Sequence, residues 1–487
     1  MDHSLTPLPR PAVVAFVTLG IGAFVLSMLV PALEPDQQSL LGIPLAVVAL
    51  VWAVPLMLAL MRGETWAFIV ALALLMFLTD SNFRARAWND KSVDAQVLVK
   101  GLVWMGCGLV GLVRTSATPW IFGRPPVVFA GLLILLMGVS ALWSPTPLYT
   151  VQAAVAYSWL LLFGLATAQV LDERQLLKAV ALGAGMIVLP SLCIAPFAMG
   201  LTPPSPGSTG EPDRLRGLTD HPIPLAEVAA LFTFAVTALM VRARGMARLG
   251  LFVLTIAGLV CAGLTQSRLP PLAMFASVLA FIAYRRGGWM MMVPTLTIII
   301  GLVLLLESMG GFAAMLPADL LSLFARSGHS VEILSLSGRL EIWPYVIDRI
   351  TEAPLLGHGY ASGMMLFKGF VRWKITHAHN MYLQSLLYLG AVGFALMIVL
   401  LMTQWKLFLV SPRPVRDILL IYVCLKGMTE QSLLCNMPTG TVAVWMVTVG
   451  YAALAWQRHP ISAGDIAAGT APASPASTTP SHGYAGR

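Results

Sequence analysis

The chain has 487 residues, of which 58% are hydrophobic and only 11% charged, with a formal charge of +8. A soluble protein would carry about a quarter of its residues as charges, so that class is excluded. Repeated apolar runs of roughly 17–25 residues predict an all-α polytopic membrane protein, and their continuous pattern excludes a β-barrel. The basic residues are scattered through short connections, which argues against nucleic acid as a partner and suits a chain oriented in a membrane.

In chain order, residues 1–11 form a short N-terminus, expected in the cytoplasm. Spans then follow at about 12–32, 40–61, 65–80, 96–113, 126–143, 150–171, 177–200, 223–241, 249–265, 269–284 and 289–309, making the helical bundle of 12–309. A long outer loop over 310–378 precedes three more spans, 379–404, 415–434 and 438–456. The expected architecture is therefore about 12–14 transmembrane helices with one long outer loop. The first run lacks a small-residue cleavage site and reads as a retained span. The tail over 457–487 is rich in Ala, Ser, Thr and Pro and is expected to be disordered in the cytoplasm. Alternate connections collect Arg62, Arg114, Arg242, Arg244, Arg285, Arg286, Arg413 and Arg416, which makes that side the cytoplasm.

The five cysteines lie in or beside apolar runs without paired spacing, and read as small buried hydrophobes. Within the long loop, Leu340, Trp343, Ile347 and Ile350 recur at helical spacing. That stripe predicts an amphipathic helix able to lie on the outer membrane face, bent near Pro344. The turn at Pro354, Gly357 and Gly359 ends it.

Polar residues gather at the outer side. Arg214 and Arg216 precede a span, Arg268 sits in the short "TQSR" turn, Arg339 begins the amphipathic helix, and His377, His379 and Asn380 close the loop. Arginines at a membrane edge often snorkel to headgroups, which is the plain alternative for Arg214. Lys426 and Glu430, four apart, read as a structural ion pair within the bundle, and Glu227 as an interior polar contact. Asn380 is a good N-cap type, and the positive end of the helix it opens disfavours an imidazolium, so His379 is expected to be neutral. A metal held by His377 and His379 with His221, His329 or His358 is disfavoured, since no carboxylate or Cys falls at ligand spacing nearby. No metal and no cofactor are expected. Arginine forks grip phosphate oxygens and a neutral histidine can take a proton from a hydroxyl. The pattern points to group transfer from a diphosphate-linked donor to an alcohol.

"SGRLEIWPYVIDRITEAPLLGHGYASG" and "HAHNMYLQSLLYLGAVG" together resemble the O-antigen ligase and polymerase superfamily of bacterial envelope proteins. The residues that carry the resemblance are Arg339, Trp343, Pro354, Gly357, Gly359, His377, His379, Asn380, Gly390 and Gly393. "RLRGLTDHPIPLAEVAAL" is similar to the family's Arg-x-Gly segment, and "TQSR" to its Ser-Arg turn; the family's frequent Pro-Asn is here Pro222 and Ile223.

The resemblance implies a metal-independent, inverting glycosyltransferase of the bacterial inner membrane, with its active site facing the periplasm. Its donor would be a glycan on undecaprenyl diphosphate and its acceptor a glycan or a lipid-anchored group, in lipopolysaccharide or exopolysaccharide biosynthesis. Arg216, Arg268 and Arg339 would hold the diphosphate and donor sugar, with Arg214 beside them. His379 would be the base, oriented by His377 and Asn380. Ligase and polymerase remain equally open, and the alternative class is a transporter or flippase of lipid-linked oligosaccharides. Transporters tend to keep ionisable residues at midplane on broken helices in paired halves, whereas here the charges collect at the outer edge.

Overall fold

Proline at the first helical position has a φ already suited to a helix and lacks only an N–H that would be unsatisfied there. Among the described residues, four α-helices begin that way, at Pro125, Pro147, Pro222 and Pro414. The computed structural model describes residues 55–82, 95–198, 200, 214–308, 339–369 and 375–458. The expected span at 12–32, most of that at 40–61, and the tail beyond 458 lie outside the described residues, as do 309–338 of the long loop.

The described residues are nearly all helical. They form α1 (Thr65–Asp80), α2 (Ala95–Ser116), α3 (Pro125–Val139), α4 (Pro147–Val170), α5 (Glu173–Ile194), α6 (Pro222–Met240) and α7 (Gly245–Leu264). Then come α8 (Leu269–Ser308), α9 (Arg339–Glu352), the single turn α10 (Gly363–Leu366), α11 (Met381–Val410), α12 (Pro414–Gly427) and α13 (Gly440–Arg458). Seven are long and apolar enough to cross a membrane: α2, α3 with its 3-10 extension, α4, α5, α6, α7 and α11. The chain is a polytopic α-helical membrane protein. The expected spans 269–284 and 289–309 are the two arms of α8, which breaks at Gly287 and Gly288.

Two-thirds of α4 and α5 is buried against other helices but only 17% of α7, so α4 and α5 form the centre and α7 the lipid-facing flank. Around that centre α4 packs on α2, α3 and α13, and α5 packs on α1 and α6. Gly164 lets α13 approach closely, because a Cβ there would lie 2.7 Å from the Met446 carbonyl carbon. In lipid, where burial of apolar groups drives helices together weakly, such close contact supplies the association energy.

The helix ends around residues 354–390 are less regular. α11 breaks at Gly390, with φ 62° and ψ −163°. A break in a membrane helix frees backbone groups that must find partners. Here the 354–359 turn supplies them: Ala391 and Val392 N–H donate to the carbonyls of Pro354 and Leu355, at 2.8 and 3.2 Å. In return, His358 and Gly359 N–H donate to Leu387 and Tyr388 at 3.0 and 2.9 Å. The Pro-x-x-Gly-x-Gly segment is thus a plug for the broken helix.

The helix expected in the long loop is α9, with Pro344 inside it. The side it turns to the protein is distinct from the apolar stripe. Arg339, Ile342 and Val346 are buried while Ile347 is 49% exposed. α9 packs that side against α11 and inserts Arg339 among protein charges.

Candidate functional site

His377 and His379 stand two apart in non-helical backbone, a spacing that puts both side chains on one face and the residue between on the other. Ala378 is correspondingly buried. Its peptide is held from two sides: its N–H donates to Gln384 Oε1 at 2.6 Å, and its carbonyl accepts from Trp343 Nε1 at 3.2 Å. Trp343 of α9 and Gln384 of α11 therefore fix the lip that carries both histidines. Asn380 caps α11, accepting from Tyr382 and Leu383 N–H at 2.9 and 3.0 Å. Its Nδ2 donates to Met428 O at 2.9 Å, tying the lip to the end of α12.

The two imidazole rings lie 4.0 Å apart, centroid to centroid. Both turn toward Glu430, just past the end of α12. His379 Nδ1 is 3.2 Å from Glu430 Oε2, and His377 Nε2 is 3.8 Å from the same oxygen. The other carboxylate oxygen accepts from the Arg339 guanidinium in a buried ion pair, and Arg339 Nε donates to Thr429 O at 3.0 Å. Lys426 does not pair with Glu430. It pairs with Glu227 of α6, Nζ to Oε2, at 2.6 Å. The expected local pair is thus replaced by two tertiary ones, because each partner across the bundle offers an opposite charge that desolvation makes hard to leave unpaired.

His379 and Glu430 both lie outside the helical spans. Burial depresses the His379 pKa, the neighbouring His377 adds to this, and Glu430 opposes it; the result is about 4. The direction agrees with the neutral ring expected at a helix start, although burial is the larger cause. For Glu430, burial pushes the carboxyl up, but His379, His377 and Arg339 outweigh it and hold it well below the usual range. An ionised carboxylate can only accept, so His379 donates from Nδ1 and keeps Nε2 as an open acceptor. His379 also has φ 48°, in the left-handed region that non-glycine residues seldom occupy. Such strain is often concentrated at functional sites.

The outer arginines form a second group. Leu215 N–H donates to Leu264 O and Arg214 Nε to Thr265 O, each at 3.0 Å, so the 214–221 arm docks on the α7–α8 turn. Arg268 stands exposed at the end of that turn. Arg216 is half-buried beside Gly200, and its Nε is buried with no hydrogen-bond partner among the described residues. The arm ends at His221, which caps α6 through Nδ1 and feels the charges of Arg214, Glu430 and His377. The arm thus ends within electrostatic range of the histidine lip.

A family model described as O-antigen ligase matches residues 250–398. That stretch of the chain is similar to the O-antigen ligase family. Arg268, Arg339, His377, His379 and Asn380 lie within the O-antigen ligase match, while Arg214, Arg216 and Glu430 lie outside it. The match supports a glycosyl-transferring function of O-antigen ligase or polymerase type, with lipid-linked glycans as the class of substrate, and the apolar helices agree with a membrane setting. No curated protein matches the chain.

The histidine lip also has the makings of a cation site. His377, His379 and Glu430 each present a ligand atom within 4.8 Å of the others, a donor set of the kind that holds zinc. Sequence spacing disfavoured a metal because it offered no nearby carboxylate, and Glu430 removes that reason. Arg339, however, occupies the other carboxylate oxygen and sets a permanent positive charge beside the same position.

Proposed function

We propose that the protein transfers or polymerises glycans from an undecaprenyl-diphosphate donor onto a hydroxyl acceptor, at the periplasmic face of the inner membrane. The observation that carries this reading is the buried Arg339–Glu430 ion pair with His379 Nδ1 3.2 Å from the same carboxylate. His379 Nε2 takes the proton from the acceptor hydroxyl as its oxygen attacks the anomeric carbon of the donor sugar. The bond from that carbon to the diphosphate breaks, and the diphosphate leaves with the bonding electrons. Attack opposite the leaving group inverts the anomeric centre. Glu430 then stabilises the imidazolium that forms, as a carboxylate does behind any histidine base.

Arg214, Arg216 and Arg268 receive the diphosphate, whose growing charge their guanidinium groups neutralise without a metal. Arg339 acts differently from these three. Its guanidinium faces Glu430, so it sets the charge of the base's partner rather than gripping donor oxygens. His377 and Asn380 orient the base, one by packing on its ring and the other by holding the start of α11. The test is His379→Ala. Transfer should fall by about a hundredfold or more in protein that inserts and accumulates as wild type. Envelope glycan of unchanged length and amount in that strain would sink the assignment.

A further inference from the structure

The Lys426–Glu227 ion pair belongs neither to the histidine lip nor to the arginine arm, yet it is attached to both. Lys426 is 2% exposed. Its carbonyl accepts from Thr429 N–H at 3.0 Å, from Glu430 N–H at 2.9 Å and from the Thr429 hydroxyl at 3.2 Å. The last turn of α12, which presents Glu430 to His379 and the Thr429 carbonyl to Arg339, therefore hangs from Lys426. At the other end, Glu227 lies on α6, the helix that His221 caps and that the arginine arm leads into.

α6 and α12 share no broad packing face among the described residues. The helix carrying the arm and the helix carrying Glu430 are thus joined by a point contact between charges. A buried ion pair is a costly way to gain stability, since apolar residues of the same volume often do as well. What it offers over apolar packing is a defined distance and direction.

We infer that Glu227 and Lys426 are positioning residues, a brace that holds the arginine arm in register with the His379–Glu430 pair. This rests on the function proposed above. A donor bound by the arm can react only if its anomeric carbon lies near the proton acceptor, and small misplacements at that stage are costly.

The test uses the full-length protein in lipid nanodiscs, a synthetic polyprenyl-diphosphate oligosaccharide as donor, and Lys426→Met, Glu227→Gln and the exchanged pair Glu227→Lys with Lys426→Glu. Each single variant should lower kcat by about a hundredfold while the donor KM moves by less than about threefold. The exchanged pair should recover kcat. Folded single variants with wild-type kcat, a loss residing in donor KM, or an exchanged pair no better than the singles would each overturn the brace. If the singles fail to accumulate, the exchanged pair is compared with wild type alone, and a large loss of kcat overturns it. His379→Ala run alongside separates the two proposals. An active His379→Ala removes the base assignment, whereas an inactive one beside an active Lys426→Met removes only the brace.

Discussion

Glu430 accepts the Nδ1–H of His379 and so leaves Nε2 as the ring's only open lone pair. Transfer requires that ring to be neutral, and with a pKa depressed to about 4 the acid limb of the rate profile should fall near that pH. The neighbours act on the limb in opposite directions. Glu430 favours the charged ring, so Glu430→Gln should move the limb lower still, and turnover should drop at least about tenfold as the tautomer is released. His377 disfavours the charged ring, so His377→Ala should move the limb upward. Initial rates of purified protein between pH 3.5 and 8 (on the order of ten points, enough to locate a limb) check both signs; limbs that stay in place would remove Glu430 and His377 from the electrostatics of the base. The histidines, the asparagine cap and the arginines were legible as residue types at helix ends. Glu430 was not, because the i,i+4 spacing to Lys426 offers a sufficient local explanation and nothing in one dimension points to Arg339 instead.

Secondary elements were read well where hydrophobic length alone decides and less well where a partner decides. α9 falls where apolar spacing predicts a helix, yet Ile347 of its expected apolar stripe faces out and Arg339 faces in. The broken helix α11 shows the same division. Gly390 and the Pro354–Gly359 turn were visible as turn-prone residues, but their mutual docking was not. At Gly390, φ 62° with ψ −163° is a region essentially closed to other residues, and a Cβ would meet Leu355 backbone at 2.3 Å. Gly390→Ala should therefore destabilise the protein by at least about 1–3 kcal/mol. Thermal unfolding in detergent should show the loss as a lower Tm, and an unchanged Tm would mean that the plug and the broken helix are not tightly docked.

For the molecule as a whole, charge bias in the connections sets which compartment meets the site. In a variant with its native cysteines replaced, Asp220→Cys and Glu352→Cys should react with an impermeant thiol reagent applied from the periplasmic side. Arg244→Cys should react only after the membrane is opened. The reverse pattern would put the histidine lip in the cytoplasm and end the periplasmic reading. Hydropathy and charge are sums over neighbours in the chain, so the helical class, the outer gathering of arginines and histidines, and the O-antigen ligase resemblance were all present in the sequence. Which charge meets which is a different kind of property. Arg339 reaches Glu430, and Glu227 reaches Lys426, only because separate helices converge at one end of the bundle. In a medium that solvates no charge, the folded arrangement of those helices decides every pairing.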